Sequence, residues 1–307
     1  MNAVAEAQVL PSGRSDKQEA AVIQTAVGLI EYKKIGEAPY LLVFHGTPGG
    51  YNQSIDAAPF LEAGIGIIIP SRPGYLGTPL TSGGSLEEQA DAFAALLDAL
   101  SIGRVGIHGL SGGGPPAIHF AARYPERARA LLLTSALIKR HTVEMPGWSS
   151  LLLTSPALNR WLAWAFKHFP KPIIQAALQV ESTYGAEDRI REAERIVNSP
   201  DKLALLQELM ASSALRKDHL PGFENDLRIW ADMERLPLEA VKCPTLITHG
   251  AADADVPFEH AEEAYEGITG AELYRMENAW HLVWMDEEAD EMKKKQVAFL
   301  KAQFENK

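Results

Sequence analysis

Cysteine is almost absent from this 307-residue chain: Cys243 is the single one, so no disulfide can form within it. It stands before Pro244 at the edge of an apolar run, where it reads as a small buried hydrophobe. Basic side chains are the minority, 29 against 40 acidic, giving a formal net charge of −11. A sequence-independent grip on nucleic acid needs a basic surface, so nucleic acid is not an expected partner. No uninterrupted apolar run approaches the roughly 20 residues of a membrane span. Repeats and low-complexity tracts are missing too. Residues 1–20 are polar and mixed, without the basic-then-apolar order of a secretory signal, and are expected to form a flexible N-terminus. A cytoplasmic location is the matching expectation. What remains, 46% hydrophobic and 22% charged, suits one large α/β domain with an insertion, or two domains.

Along the chain, short apolar runs alternate with helical patterns. Ala21-Val22-Ile23 and Gly28-Leu29-Ile30-Glu31-Tyr32 read as edge hairpin strands. Tyr40-Leu41-Leu42-Val43-Phe44 is continuously apolar, as expected of a strand covered on both faces. It runs into His45-Gly46-Thr47-Pro48-Gly49-Gly50. A helix is expected at 54–63, then a buried strand at 65–69 and a turn at Ser71-Arg72-Pro73-Gly74-Tyr75. Ser85 with Glu88 three residues on forms a capping box, followed by Ala90, Phe93, Leu96, Leu97 and Leu100 at helical spacing. Another strand is expected at 130–134. Such alternation implies a mostly parallel sheet with helices on both faces, whose ligands bind beyond the carboxyl ends of the strands. From 138 to 238 the pattern is helical without an obvious strand and holds Trp148, Trp161, Trp164 and Trp230. This stretch is read as a helical insertion over the sheet. The α/β core is then expected to comprise 21–137 and 239–307.

Gly109-Leu110-Ser111-Gly112-Gly113 lies between the strand-like Arg104-Val105-Gly106-Ile107-His108 and the helix-like Pro116-Ala117-Ile118-His119-Phe120. A strand that turns into a helix within so few residues bends sharply, and the residue at the tip is strained by about 1–3 kcal/mol. Strand, G-x-S-x-G and helix together form a nucleophile elbow, which aims helix-start N–H groups at the reaction centre. The triple glycine at 112–114 also invites a phosphate-loop reading, but neither Lys-Ser nor Lys-Thr follows it and there is no G-x-G-x-x-G.

A serine hydroxyl needs a neighbouring base, itself oriented by a carboxylate. The loop at 249–257, His-Gly-Ala-Ala-Asp-Ala-Asp-Val-Pro, and the later Asn278-Ala279-Trp280-His281 supply them in the order acid, then base. His281 is the expected base. Either Asp253 or Asp255 could be the acid; Asp253 is favoured because Asp255 lies nearer the helix opened by Pro257. Developing oxyanion charge would meet the N–H groups of Gly112 and Thr47. His45 is expected to brace its loop, and His108 and His249 to serve packing or hydrogen bonding.

With these motifs in order, the chain resembles the α/β-hydrolase superfamily from about residue 20 onward. The match rests on His45-Gly46-Thr47-Pro48-Gly49, Arg72-Pro73-Gly74-Tyr75, the Ser111 elbow, Gly250-x-x-Asp253 with Val256-Pro257, and Trp280-His281. The resemblance implies an eight-stranded mixed sheet, a helical cap, a Ser111–Asp253–His281 triad and no cofactor. Ser111 stands where dehalogenases and epoxide hydrolases of this superfamily carry aspartate, which argues against both. Proline iminopeptidases share a similar His-Gly-x-Pro-Gly-Gly stretch but carry tryptophan where this chain has Gly112. An amine-gripping cap carboxylate would support that branch; Glu181, Glu187 and Glu208 are available and read more simply as a solvated face.

The expected function is therefore hydrolysis of carboxylic esters of small to medium, partly apolar substrates by a cap-domain serine hydrolase. Trp148, Leu152, Trp161, Trp164 and Phe166 would shape the pocket, although a helical core without ligand contact is the simpler reading for most of them singly. Peptide, lactone or carbon–carbon bond hydrolysis remains open, because a fold does not fix its reaction. So does a ligand receptor without turnover. The partner expected is a small ester or amide; the oligomeric state is not legible.

Overall fold

The computed structural model describes residues 20–53, 57–143 and 154–305. Eight strands form one sheet: β1 (Ala21–Thr25), β2 (Gly28–Ile35), β3 (Tyr40–Phe44), β4 (Gly66–Pro70), β5 (Val105–Leu110), β6 (Ala128–Thr134), β7 (Thr245–Gly250) and β8 (Glu272–Met276). Their order is β1-β2-β4-β3-β5-β6-β7-β8. β1 and β2 pair antiparallel, as do β2 and β4, and every other neighbour pair is parallel. The chain thus moves outward from β3 to β4 on one side and from β5 onward on the other. That reversal opens a crevice at the carboxyl ends of β3 and β5, the place where open α/β sheets bind ligands.

The continuous apolar strands follow from burial on both faces. Tyr40, Leu42 and Phe44 of β3 belong to one continuous apolar cluster with Phe93, Ile118 and Ala261, which lie on α2 (Leu86–Ala99), α3 (Gly114–Arg123) and α9 (Glu259–Gly267). Leu41 and Val43 point the other way, toward Phe60 of α1 (Ala58–Glu62) and Leu300 of α10 (Ala289–Glu305). Strand period two and two helical layers are one fact seen twice.

Between β6 and β7 come α4 (Pro156–His168), α5 (Pro170–Glu181), α6 (Ala186–Val197), α7 (Pro200–Ser212) and α8 (Leu220–Asp232). Among the described residues of this stretch the one β contact is a bridge from Ser182 to Asp253. No helix among the described residues is long and apolar enough to cross a membrane.

Two expected elements differ from what is found. β2 runs on to Ile35 because Tyr32–Ile35 pair with β4 after the first half has paired with β1. The helix expected at 54–63 is α1, with Pro59 in its first turn, where the missing N–H of proline costs nothing. Residues 54–56 lie outside the described residues, as do 1–19, Trp148 and Leu152.

The capping box is present: Ser85 Oγ accepts from the Glu88 N–H at 3.2 Å and the Glu88 carboxylate accepts from the Ser85 N–H at 3.0 Å. Ser85→Ala should lower stability by about 1 kcal/mol, read as a shift of the urea midpoint at unchanged slope.

Candidate active site

β5 passes into α3 through a single tight turn at Ser111–Gly113, and Ser111 sits at φ +47°, the left-handed region that costs a side chain about 1–2 kcal/mol. Gly113 is required by the sheet itself: a Cβ there would lie 2.1 Å from the Phe44 carbonyl oxygen. The turn lifts the Ser111 hydroxyl clear of the sheet into the crevice.

Two later loops bring the other two residues to it. His281 Nε2 lies 3.1 Å from Ser111 Oγ, and Nδ1 lies 2.8 Å from Asp253 Oδ2. With Nδ1–H donating to the carboxylate, a neutral ring leaves Nε2 free to accept the hydroxyl proton. Asp253, not Asp255, takes the Nδ1 side. Its Oδ1 accepts the N–H groups of Asp255 (3.0 Å) and Val256 (2.8 Å), which fixes the carboxylate within its own loop. Burial pushes the Asp253 carboxyl up, but His281 and His249 outweigh it and hold it at about 2. Burial alone would lower His281; Asp253, then Asp255 and Glu181, bring it up to about 9.

Asp255 occupies a place that spacing did not suggest. Its Oδ2 lies 3.5 Å from His281 Nε2, on the serine side of the ring, with its side chain 47% exposed. Glu181 corrects the solvated-face reading: its Oε2 is buried without a hydrogen-bond partner among the described residues, and burial pushes its carboxyl up to about 7. Glu187 and Glu208 are exposed.

The expected oxyanion donors flank the serine. Gly112 has no room for a side chain, since a Cβ would lie 2.5 Å from both Thr47 Oγ1 and Trp230 Cζ2. Where an iminopeptidase-like elbow carries its own tryptophan, this site receives one from α8. His45 braces its loop as expected: Nε2 accepts the Arg72 N–H at 2.8 Å, so Nδ1 carries the proton and donates to the Gly46 carbonyl at 2.7 Å. His108 meets Thr134 Oγ1 at 2.9 Å, and His249 Nε2 donates to the Val256 carbonyl at 2.7 Å.

A cavity of about 170 Å³ opens on Ser111, lined on its apolar side by Leu137, Val143, Phe223, Leu227, Trp230 and Val256. Thr47, Gly112, His141 and Asp255 complete it; no lysine or arginine belongs to this lining among the described residues. The described members of the expected wall lie elsewhere. Trp161 and Trp164 are 57% and 52% exposed on α4, and Phe166 is buried with Ile174 and Leu178 of α5. α8 supplies the wall instead, through Phe223, Leu227 and Trp230 on one helical face. Asp226 shares that face, buried against Arg72. A carboxylate inside an apolar i, i+3, i+4, i+7 stripe was the legible signal for this helix.

A family model described as "Alpha/beta hydrolase family" matches residues 41–294. The chain is 31% identical over 293 residues to the "Uncharacterized hydrolase YcgS" of Bacillus subtilis, spanning 93% of this chain and 100% of that protein. It is 27% identical over 288 residues to a 2-hydroxy-6-oxo-6-phenylhexa-2,4-dienoate hydrolase of Comamonas testosteroni, spanning 89% and 91%. Among solved structures, an alpha/beta hydrolase fold protein from Nakamurella multipartita superposes with a TM-score of 0.87 at 32% identity, covering 92% of this chain and 99% of the other.

Arg72 and Asp226 form a buried ion pair at 2.6 Å, with side chains 1% and 3% exposed. Removing one partner strands the other charge, so Arg72→Met should destabilise the protein by about 3–5 kcal/mol, measured by urea unfolding.

Proposed function

Since the chain belongs to the α/β-hydrolase family, we propose that it is a serine hydrolase acting on small, neutral carboxylic esters. The observation that carries this reading is the hydrogen-bonded chain Ser111–His281–Asp253 opening on a small cavity with an apolar wall. Ser111 Oγ attacks the ester carbonyl carbon while its proton passes to His281 Nε2. Asp253 holds the ring in the tautomer that can receive it and stabilises the imidazolium. The carbonyl oxygen, now an oxyanion, takes hydrogen bonds from the N–H groups of Thr47 and Gly112. Collapse expels the alkoxide, which leaves with the proton from His281. Water, activated by the same ring, then cleaves the acyl-enzyme. In this reading residues 138–238 are the cap, and α8 touches the substrate together with His141 and Val143.

Carbon–carbon bond hydrolysis is the second reading, favoured by the name of the Comamonas relative. A dienoate carries a carboxylate, which calls for a cation in the pocket. The cavity lining offers Asp255 and His141 and, among its described residues, neither lysine nor arginine, so it holds no permanent cation. Charge therefore favours the neutral ester.

A fluorophosphonate probe should label Ser111, and Ser111→Ala should lower turnover of p-nitrophenyl acetate by at least about 10⁴-fold. Labelling elsewhere, or turnover of a dienoate but of no ester, would overturn the reading. The base is the neutral ring of His281, whose pKa stands at about 9, so kcat/KM should climb as pH rises toward 9 and level off above it. Asp255→Asn removes an anion 3.5 Å from Nε2 and should move that inflection to lower pH. An inflection that stays in place would show that Asp255 does not act on the ring.

A further inference from the structure

Asp226 is a buried carboxylate that the proposed chemistry leaves unused. It belongs to α8, yet its partners come from two loops of the core. Oδ2 accepts from Thr47 Oγ1, Arg72 Nη2 and the Tyr75 hydroxyl, each at 2.6 Å, and Oδ1 accepts from Arg72 Nη1 at 2.8 Å. The same guanidinium donates from Nη2 to Thr47 Oγ1 at 2.7 Å and from Nε to the His45 carbonyl at 3.1 Å. The Thr47 hydroxyl thus donates to one charge and accepts from the other. It also packs against the elbow, because Gly112 is glycine where a Cβ would stand 2.5 Å from Thr47 Oγ1. The loop after β3 is held at its tip by the insertion as well as by the strand it leaves.

We infer that Asp226 is a positioning residue for the oxyanion hole, acting through the Thr47 hydroxyl and Arg72. The inference rests on the proposed hydrolase reading and deepens it. Oxyanion donors contribute only when aimed at the position the charged oxygen will take, about 2.7–3.1 Å away. A displacement of about 1 Å far from the reacting atoms can lower the rate about 10²-fold. The ester carbonyl of the ground state gains little from the same donors, so a misplaced Thr47 shows in kcat rather than in KM. α8 also carries Phe223, Leu227 and Trp230, so one helix sets both the wall that a substrate presses on and the donor that stabilises its oxyanion.

Thr47→Val is the decisive variant, because it keeps the shape, the backbone N–H and the Arg72–Asp226 pair while removing the hydroxyl. With p-nitrophenyl acetate, kcat should fall about 10- to 100-fold while KM stays within about twofold. Thr47→Ser restores the hydroxyl and should recover kcat to within about threefold of wild type. Asp226→Asn should lower kcat at least as much, because it also loosens Arg72 and Tyr75, and the double variant with Thr47→Val should lose less than the product of the two single losses, since both remove the link through the Thr47 hydroxyl. If Asp226→Asn does not fold, the Val and Ser pair at position 47 decides alone. Wild-type kcat in Thr47→Val, equal losses in Val and Ser, or a change confined to KM would overturn the inference while leaving the hydrolase reading intact. A wild-type protein with neither ester turnover nor Ser111 labelling would overturn both.

Discussion

The site depends on one backbone constraint. β5 must give way to α3 within three residues, next to a strand whose last carbonyl stands where a side chain on Gly113 would be. Ser111 meets that constraint by taking φ +47°, and the strain is borne because β5 lies in the middle of the sheet, paired on both sides. Strain of this kind persists only where the surroundings over-determine it. Its result is a hydroxyl raised above the rim of the sheet, at the crevice that the strand order opens.

Around that hydroxyl the loops divide the work by what each can hold still. The loop after β7 orients Asp253 by hydrogen bonds to its own backbone, independently of its contact with His281. The loop after β8 carries His281, whose carbonyl accepts from the Ser135 hydroxyl at 2.9 Å and is thereby tied to the end of β6. The loop after β3 has the hardest task, because a proline and two glycines leave it few bonds of its own. Arg72 and Asp226 supply them from outside, and His45 braces the loop from within.

Electrostatically the site is lopsided. Asp253, Asp255 and Glu181 all act on His281, and the described cavity lining holds no lysine or arginine to offset them. Two basic groups beside the loop after β3 are spoken for: Arg72 by Asp226, and His45 by the Arg72 N–H and the Gly46 carbonyl. Such a field raises the basicity of the ring and disfavours substrates that bring negative charge of their own.

Local order was enough to locate the parts whose causes are local. The elbow, the capping box at Ser85, the both-faces-buried strand at β3 and the helical character of the insertion each follow from residues within a few positions of one another. Position in the loop favours Asp253 over Asp255; the fold adds that Asp253 Oδ2 lies 2.8 Å from His281 Nδ1 while Asp255 Oδ2 lies 3.5 Å from Nε2. The pocket wall needed the fold more. Trp161 and Trp164 looked like lining by composition but face outward on α4, whereas Trp230, Phe223 and Leu227 meet the serine because α8 crosses the loop after β3. Asp226 and Thr47 are 179 positions apart, and no periodicity relates them. Sequence alone therefore determined the alternation of strands and helices, the elbow and the candidate residues, through backbone geometry and short-range spacing. Which aspartate meets His281 Nδ1, which side chains line the described cavity and which charges pair in the core were decided by contacts that exist only once distant segments pack together.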